Sequence, residues 1–390
     1  MTNAILVLNA GSSSVKFALF EDCSEPPLIL KGSVSGIGSD ARIKVKKADG
    51  KETLEKDLEE SAVKNPTDAL STIMDTLSQM APDIDVTAVG HRVVHGGVEF
   101  DGPVALSGNV IDKLQTLTPF APLHQPHNLA GVAAARLRFP DARQIACFDT
   151  AFHRSHPWVN DTFALPRKFY DKGIRRFGFH GLSYEYISGK LDEIAPHYQD
   201  GNVIVAHLGN GASMCAIRDG HSIGSTMGFS ALDGLPMGTR CGQLDPGVVL
   251  YMMDQMSMSA DEIEQMLYRE SGLKGLSGLG SDMRELLANS SLEAAQAIDY
   301  FVFRIRREIG AMAAILGGLD AVVFTGGIGE NAHIIRERIC DDMDWLGVEL
   351  DETRNRQNVE IISSDRSRVR LFVLPTNEEL VIARHVRRLS

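Results

Sequence analysis

Hydrophobic and polar positions fall into two kinds of run along this chain. Residues 5–20 read ILVLNAGSSSVKFALF and residues 203–217 read VIVAHLGNGASMCAI. Each is an apolar run of strand length, a small turn of Gly, Ser or Asn, and a second apolar run, which predicts a β-hairpin with a tight turn. The second copy lies 198 residues after the first, with Gly11 over Gly209 and Asn9 over His207. A unit repeated in this way predicts a duplicated domain whose second copy opens between about 150 and 200.

Shorter apolar runs at 86–94, 144–148 and 321–325 predict further strands, and helical patterns stand between them. Asn65 and Pro66 form a helix start, and Ala69, Leu70, Ile73, Met74 and Leu77 mark one helical face behind it. Ser290 and Glu293 fit a capping box. Ile298, Phe301, Val302, Ile305, Ile309, Met312 and Leu316 follow at spacings of three and four. Strands alternating with helices predict the α/β class. The polar stretch 31–60, around Asp49-Gly50, predicts an exposed hairpin or arm.

The length of 390 residues, at about 150 per domain, allows roughly two to three domains. A net charge of −12 argues against a protein built to grip nucleic acid, yet leaves room for a local basic pocket that takes a small anion. The richest apolar run, 309–324, is interrupted by Gly310, Gly317, Gly318 and Asp320, so no membrane span is expected. Met1-Thr2-Asn3 leads into an apolar run without a basic segment, so no signal peptide is expected. Cysteines at 23, 147, 215, 241 and 340 form no C-x-x-C, which predicts a reduced, cytoplasmic protein.

Three glycine-rich turns carry the candidate chemistry. In Asn9-Ala10-Gly11-Ser12-Ser13-Ser14, Gly11 lets the backbone approach a ligand, and the turn's N–H groups and hydroxyls suit phosphate oxygens. Lys16 interrupts an apolar strand, and either meets an anion or snorkels from an ordinary hairpin. His207-Leu208-Gly209-Asn210-Gly211-Ala212-Ser213 repeats the plan, so two turns could clasp a polyphosphate from both sides of a cleft. Thr325-Gly326-Gly327-Ile328-Gly329-Glu330-Asn331 follows a strand and precedes a helix from about residue 330, a suitable anion site. No G-x-G-x-x-G opens a βαβ unit, and no G-x-x-x-x-G-K-[ST] exists, so the Rossmann and P-loop readings fail.

Charged residues stand near these turns. Arg92 and Arg240, both beside glycines, are candidate cations for a transferring phosphoryl group or else partners in structural ion pairs. Asp149 ends a strand, where α/β sheets bind ligands, or caps a helix. His180, next to Phe179 and after Arg175-Arg176, could steady a phosphoryl group or be structural. Glu378 and Glu379 open the last helix, where they suit the helix dipole or a Mg²⁺ ion. The pairs His91/His95, His124/His127 and His153/His156 are a poor zinc signal without H-E-x-x-H, so a zinc hydrolase is a minor reading.

Eight stretches, LNAGSSSVKF, GHRVVHGG, ACFDTAFH, FGFHGLS, HLGNGAS, MGTRCG, VFTGGIGEN and PTNEEL, occur in an order and spacing that together resemble the acetate kinases. That family lies in the acetate and sugar kinase, heat-shock chaperone and actin superfamily. The resemblance covers nearly the whole chain. It implies a duplicated two-domain actin-like (ribonuclease H-like) ATPase fold with an interdomain cleft that closes. Residues 1–148 with 380–390 would form an N-terminal lobe, and residues 149–379 a nucleotide-binding lobe. The implied reaction is reversible, direct in-line transfer from ATP to acetate, with Mg²⁺, for which Mn²⁺ substitutes. A homodimer is also implied.

Carried over residue by residue, the resemblance places Asn9 and Glu378 at the metal, with Glu379 as the adjacent candidate. Arg92 and Arg240 would hold acetate and the moving phosphoryl group, His180 would stabilise the transition state, and Asp149 would be the catalytic carboxylate. The nucleotide would meet His207, Leu208, Gly209, Asn210, Gly211, Asp282, Met283, Arg284, Gly327, Ile328, Gly329, Glu330 and Asn331, with Lys16 near its phosphates. Val94, Leu123, Phe179 and Ala231 would line the acyl pocket.

The chain departs from the family at His124-Gln125-Pro126-His127, at Tyr184 in place of a usual His, and at Ser230-Ala231 in place of Thr-Pro. Ala231 removes ring volume, so a kinase preferring propionate is the close alternative. A non-enzymatic, nucleotide-operated protein like the actin and chaperone branches would leave Arg92, Arg240 and Asp149 together unexplained.

Overall fold

Strand alternation sorts the first hairpin into two apolar faces. In a computed structural model, which describes residues 2–11, 14–50, 53–59, 63–198 and 200–389, β1 (Thr2–Ala10) pairs antiparallel with β2 (Ser14–Glu21). Leu6, Leu8 and Ala10 join Val15, Phe17 and Leu19 on one face, because side chains two apart point the same way. That face packs against α1 (Pro66–Met80) and α2 (Gln125–Arg138) through Ala69, Leu70, Ile73, Ala134 and Ala135. Asn65 caps α1 as expected, accepting from the amides of Thr67 and Asp68.

The sheet continues with β3 (Leu28–Ser35), β4 (Arg42–Lys47), β5 (Thr53–Asp57), β6 (Ile84–Val93), β7 (Val104–Ala105) and β8 (Arg143–Phe148), in the order β5-β4-β3-β2-β1-β6-β8-β7. Around Asp49-Gly50 the stretch 31–60 forms the expected hairpin, β4 with β5, but as part of this sheet and not as a separate arm. Ile43 and Val45 alternate with charged residues and, with Val34, are buried in the same core.

A second sheet has the order β11-β10-β9-β12-β13, from β9 (Asn202–Leu208), β10 (Ala212–Arg218), β11 (His221–Ser225), β12 (Ala321–Thr325) and β13 (Arg370–Val373). Its two antiparallel and two parallel pairings follow the same sequence as those of β3-β2-β1-β6-β8. The internal repeat is thus a repeat of topology.

The second sheet is flanked by α3 (Gly181–Ile194), α4 (Met283–Ala288), α5 (Leu292–Leu316), α6 (Gly326–Asn331) and α7 (His333–Cys340). All seven apolar positions expected on one face of α5 are buried, each contributing roughly 1.5–3 kcal/mol. Its cap is Ser291, not the expected Ser290. Asn289 Oδ1 accepts from the Ser291 amide, and Ser291 Oγ then accepts from Ala294 N–H. The third glycine turn itself winds into a short helix, α6, from Gly326, and α7 follows from His333, close to the expected start near residue 330. Gly326 has φ +76°, and a Cβ there would stand 2.8 Å from the Leu208 carbonyl oxygen.

The chain divides into two compact units, residues 1–152 with 377–390, and residues 153–376. The last helix, α8 (Glu378–Arg388), thus belongs to the first unit and packs on β1 and β6. Gly90 permits that approach, because a Cβ there would meet Ile382 Cγ2 at 2.5 Å and Val386 Cγ2 at 2.8 Å. No helix among the described residues is long and apolar enough to cross a membrane.

Candidate active site

In the first unit, register places four polar groups at one end of one sheet face. Gly90 faces α8, so Arg92, two residues on, lies on that side too. Arg92 is level with Cys147, and Asp149 is two residues further along the same face. Asn9 continues the line of Ile5 and Val7, and its strand partner is Lys16. The first turn of α8 brings in Glu378.

Arg92 ties these groups together. Its Nε and Nη2 donate to the two oxygens of Asp149 at 2.9 and 2.5 Å, and Nη1 donates to Asn9 Oδ1 at 3.2 Å. Glu378 Oε2 lies 3.9 Å from Nε. Burial opposes the charge on Arg92, but Asp149, Glu378 and Glu379 outweigh it and raise its pKa. Burial raises the pKa of Glu378, with Arg92 and Lys16 opposing and Glu379 adding to the shift. Val94 is buried and Leu123 half-buried in this unit. Ser12 and Ser13 lie outside the described residues.

Asn128, which no motif flags, links two edges of this cluster. Its Oδ1 accepts from Val94 N–H at 3.0 Å, and its Nδ2 donates to the Ala10 carbonyl at 2.6 Å. Gln125, in the segment that departs from the family, is buried and donates to the carbonyls of His95 and Leu114. Among the paired histidines, His91, His95, His153 and His156 have partners within the protein. His91 Nε2 meets Gln144 Oε1, His95 Nδ1 accepts from Gly97 N–H, and His153 and His156 both meet Ser222.

In the second unit, His180 caps α3 in a left-handed conformation, φ 58°. Its Nδ1 is 2.8 Å from Ser213 Oγ, and Tyr184 hydrogen-bonds the same oxygen through its hydroxyl. Its ring stacks on His207 at 4.3 Å, and His207 Nδ1 meets Ser183 Oγ. A Cβ on Gly211 would stand 3.4 Å from His180 Nε2 and 3.9 Å from Arg240 Nη2, so both groups converge on the hairpin turn. Arg240 Nη1 donates to the carbonyl of Ala231 at 2.9 Å, and Phe179 is buried beside His180.

A cavity of about 900 Å³ lies in the same unit. Gly209, Asn210, Asp282, Met283, Arg284, Gly327, Ile328 and Asn331 line it. Ser281, Leu287, Ala288, Ala332, His333 and Ile334 complete the lining without being flagged by a motif. Leu287 is one helical turn after Met283, and that spacing was the available signal. His207, Leu208, Gly211, Gly329 and Glu330 stand outside the lining. Glu330 turns inward instead, where Oε1 accepts from the amides of Gly326 and Thr376. Asp282 caps α4 and pairs with Arg284, and those bonds bring its pKa down to about 2.

The chain as a whole is similar to known proteins. An acetate kinase of Methylocella silvestris is 58% identical over 393 residues, covering 99% of this chain and 97% of its own. An acetate kinase of Rhodopseudomonas palustris is 52% identical over 396 residues, covering 100% and 99%. Among solved structures, a propionate kinase from Francisella tularensis matches with a TM-score of 0.92 at 37% identity, and the Porphyromonas gingivalis acetate kinase with 0.88 at 36%. Each pair covers 99% of both chains. A model of the acetokinase family matches residues 4–384, spanning both units, and the chain belongs to that family.

Proposed function

We propose that the protein is a Mg²⁺-dependent kinase that transfers the γ-phosphoryl group of ATP reversibly to acetate. A carboxylate oxygen of acetate forms the new bond to phosphorus as the bond to the bridging oxygen breaks, and ADP leaves with that electron pair. The observation that carries the reading is Arg92, a half-buried cation held by the buried Asp149 and flanked by the oxygen donors Asn9 and Glu378.

Acetate is already a nucleophile, so the protein has mainly to align two anions and offset their repulsion. Arg92 binds and orients carboxylate and phosphoryl oxygens. Asp149 acts through Arg92, holding the guanidinium plane. His180 and Arg240 donate hydrogen bonds to the equatorial phosphoryl oxygens beside Gly211. The cavity of the second unit takes the nucleoside, with Leu287, Ile328 and Ile334 against its apolar parts.

The donor set suits Mg²⁺, a hard cation that takes oxygen ligands and keeps several waters. Asn9 Oδ1 and the Glu378 carboxylate both neighbour Arg92, and Glu378 is a half-buried carboxylate, its pKa raised by desolvation, whose charge a divalent cation would stabilise. The ion would supply charge neutralisation for the phosphates.

Propionate is the second reading, favoured by Ala231, which presents only a methyl group. One methylene discriminates by about 1–3 kcal/mol in an apolar pocket. Hydroxylamine trapping of the acyl phosphate, with acetate, propionate, butyrate or no acid, tests both. Most hydroxamate with acetate supports the first reading, most with propionate changes the substrate, and none with any acid overturns the kinase.

A second copy of this chain is the proposed partner. The helix Pro246–Gln255 buries no side chain, and Leu250 and Tyr251 are 61% and 60% exposed. An apolar helix left in water supports an interface there. Sedimentation should show a dimer at micromolar concentration and a monomer for Leu250→Glu. A wild-type monomer would overturn this. The scattered cysteines support a cytoplasmic location.

A further inference from the structure

Behind His180, the second unit holds a buried cluster that the proposed reaction does not use. His153 Nε2 lies 2.9 Å from the carbonyl oxygen of Phe179, and its Nδ1 lies 2.8 Å from Ser222 Oγ. His156 Nε2 reaches the same Ser222 Oγ at 2.8 Å, and Cys215 Sγ lies 3.1 Å from it. His153, Ser222 and Cys215 are buried.

The chemistry of these atoms assigns every proton. A carbonyl only accepts, so His153 Nε2 carries the hydrogen. Burial, the largest influence, lowers the pKa of His153 to about 4 and that of His156 to about 2, so both rings are neutral at pH 7. His153 Nδ1 therefore accepts, and the single hydroxyl proton of Ser222 goes to it. With that proton spent, Ser222 Oγ accepts from His156 Nε2–H. His156 Nδ1 is left as a bare lone pair, and it is buried without a hydrogen-bond partner. The Cys215 thiol, pushed up to about 12 by burial, keeps its proton and also faces Ser222 Oγ.

We infer that His156, Ser222 and His153 form a one-way hydrogen-bond chain ending on the Phe179 carbonyl, and that His153 is thereby the positioning residue for His180. That carbonyl belongs to the peptide group joining Phe179 to His180. Fixing its plane fixes the backbone from which His180 turns into its left-handed conformation, φ 58°. Gly178 lets the turn lie directly on the His153 ring, since a Cβ there would stand 2.6 Å from ring carbons. Ser213 and Tyr184 hold the His180 side chain, while His153 holds its backbone.

The proposal rests on the reading of His180 as a phosphoryl-stabilising group, so His180→Ala is measured beside it. His153→Leu removes the donor to Phe179, whereas His153→Gln keeps an amide N–H near the Nε2 position. His153→Leu should lower kcat about 10- to 100-fold, the scale of a misplaced catalytic group. KM for ATP and acetate should stay within about twofold, and His153→Gln should recover most of the rate. Equal losses in the Leu and Gln variants, or a folded His153→Leu enzyme at the wild-type rate, overturn the proposal. A fully active His180→Ala overturns the reading of His180 and the proposal with it, whereas an inactive His180→Ala beside an active His153→Leu overturns the proposal alone. Should His153→Leu fail to fold, ¹⁵N NMR of the histidine-labelled wild-type enzyme decides. Neutral rings protonated on Nε2 at both His153 and His156 support the chain, and a proton on His153 Nδ1 refutes it.

Discussion

Arg92 and Asp149 face each other through two parallel hydrogen bonds, 2.9 Å from Nε to Oδ1 and 2.5 Å from Nη2 to Oδ2. The pair fixes the guanidinium plane from a position where Asp149 itself is only 2% exposed. An amide in place of the carboxylate keeps one acceptor and loses the charge. Asp149→Asn should lower kcat about 10²-fold or more, and Arg92→Lys, which cannot make the fork, should do likewise. Steady-state kinetics with ATP and acetate check this, and a near-wild-type kcat in either variant would contradict it.

Two adjacent glutamates open α8, but Glu378 is the one within ion-pair distance of Arg92. Glu378→Gln should raise the Mg²⁺ concentration for half-maximal rate by about tenfold or more, a loss that even an outer-shell partner can cause. Glu379→Gln should shift it far less. Titrating the rate with Mg²⁺ at saturating ATP separates the two.

At Gly90 the side chains of Ile382 and Val386 on α8 come within 2.5 and 2.8 Å of where a Cβ would stand. Gly90→Ala forces a methyl group against Ile382 and Val386, and should destabilise the protein by about 1–3 kcal/mol. Urea unfolding measures the change. An unshifted midpoint would mean that α8 gives way without cost.

His91 and His153 both have pKa values lowered to about 4, chiefly by burial. Their ordinary value is 6.5. As pH falls below 6.5 the unfolded chain takes up protons that the folded chain refuses, so stability declines until about pH 4 and levels off below it. Each could contribute on the order of 3 kcal/mol at most. Urea midpoints from pH 7.5 downward should fall through that window, and His91→Gln should flatten the fall. A midpoint rising toward pH 4 would contradict the assignment.

The hairpins and the buried faces of α1 and α5 are legible in the sequence because they follow a local period of two or of three and four. The hairpin around Asp49-Gly50 is legible in the stretch 31–60, but its place in the core is not, because β4 buries only Ile43 and Val45 among charged residues, and the sheet that receives them is built elsewhere in the chain. The candidate site divides in the same way. Arg92, Asp149, Asn9 and Glu378 are named by their motifs, but their meeting depends on the register of β1, β6 and β8 and on where α8 lands. Asn128 and Ser222 carry no motif at all, since their value lies in two long-range hydrogen bonds apiece. Glu330 looks like a ligand-side residue beside three glycines, yet its carboxylate satisfies backbone amides.

The return of α8 to the first unit has a consequence for how the protein is made. Residues 1–152 leave the ribosome first, and all of residues 153–376 must follow before the closing segment 377–390 appears. Throughout that interval the sheet face bearing Val7 and Gly90 lacks its covering helix, and Arg92 lacks the nearby carboxylate of Glu378. A chain interrupted anywhere before residue 377 is therefore left with an uncovered apolar sheet, a natural handle for chaperones and proteases.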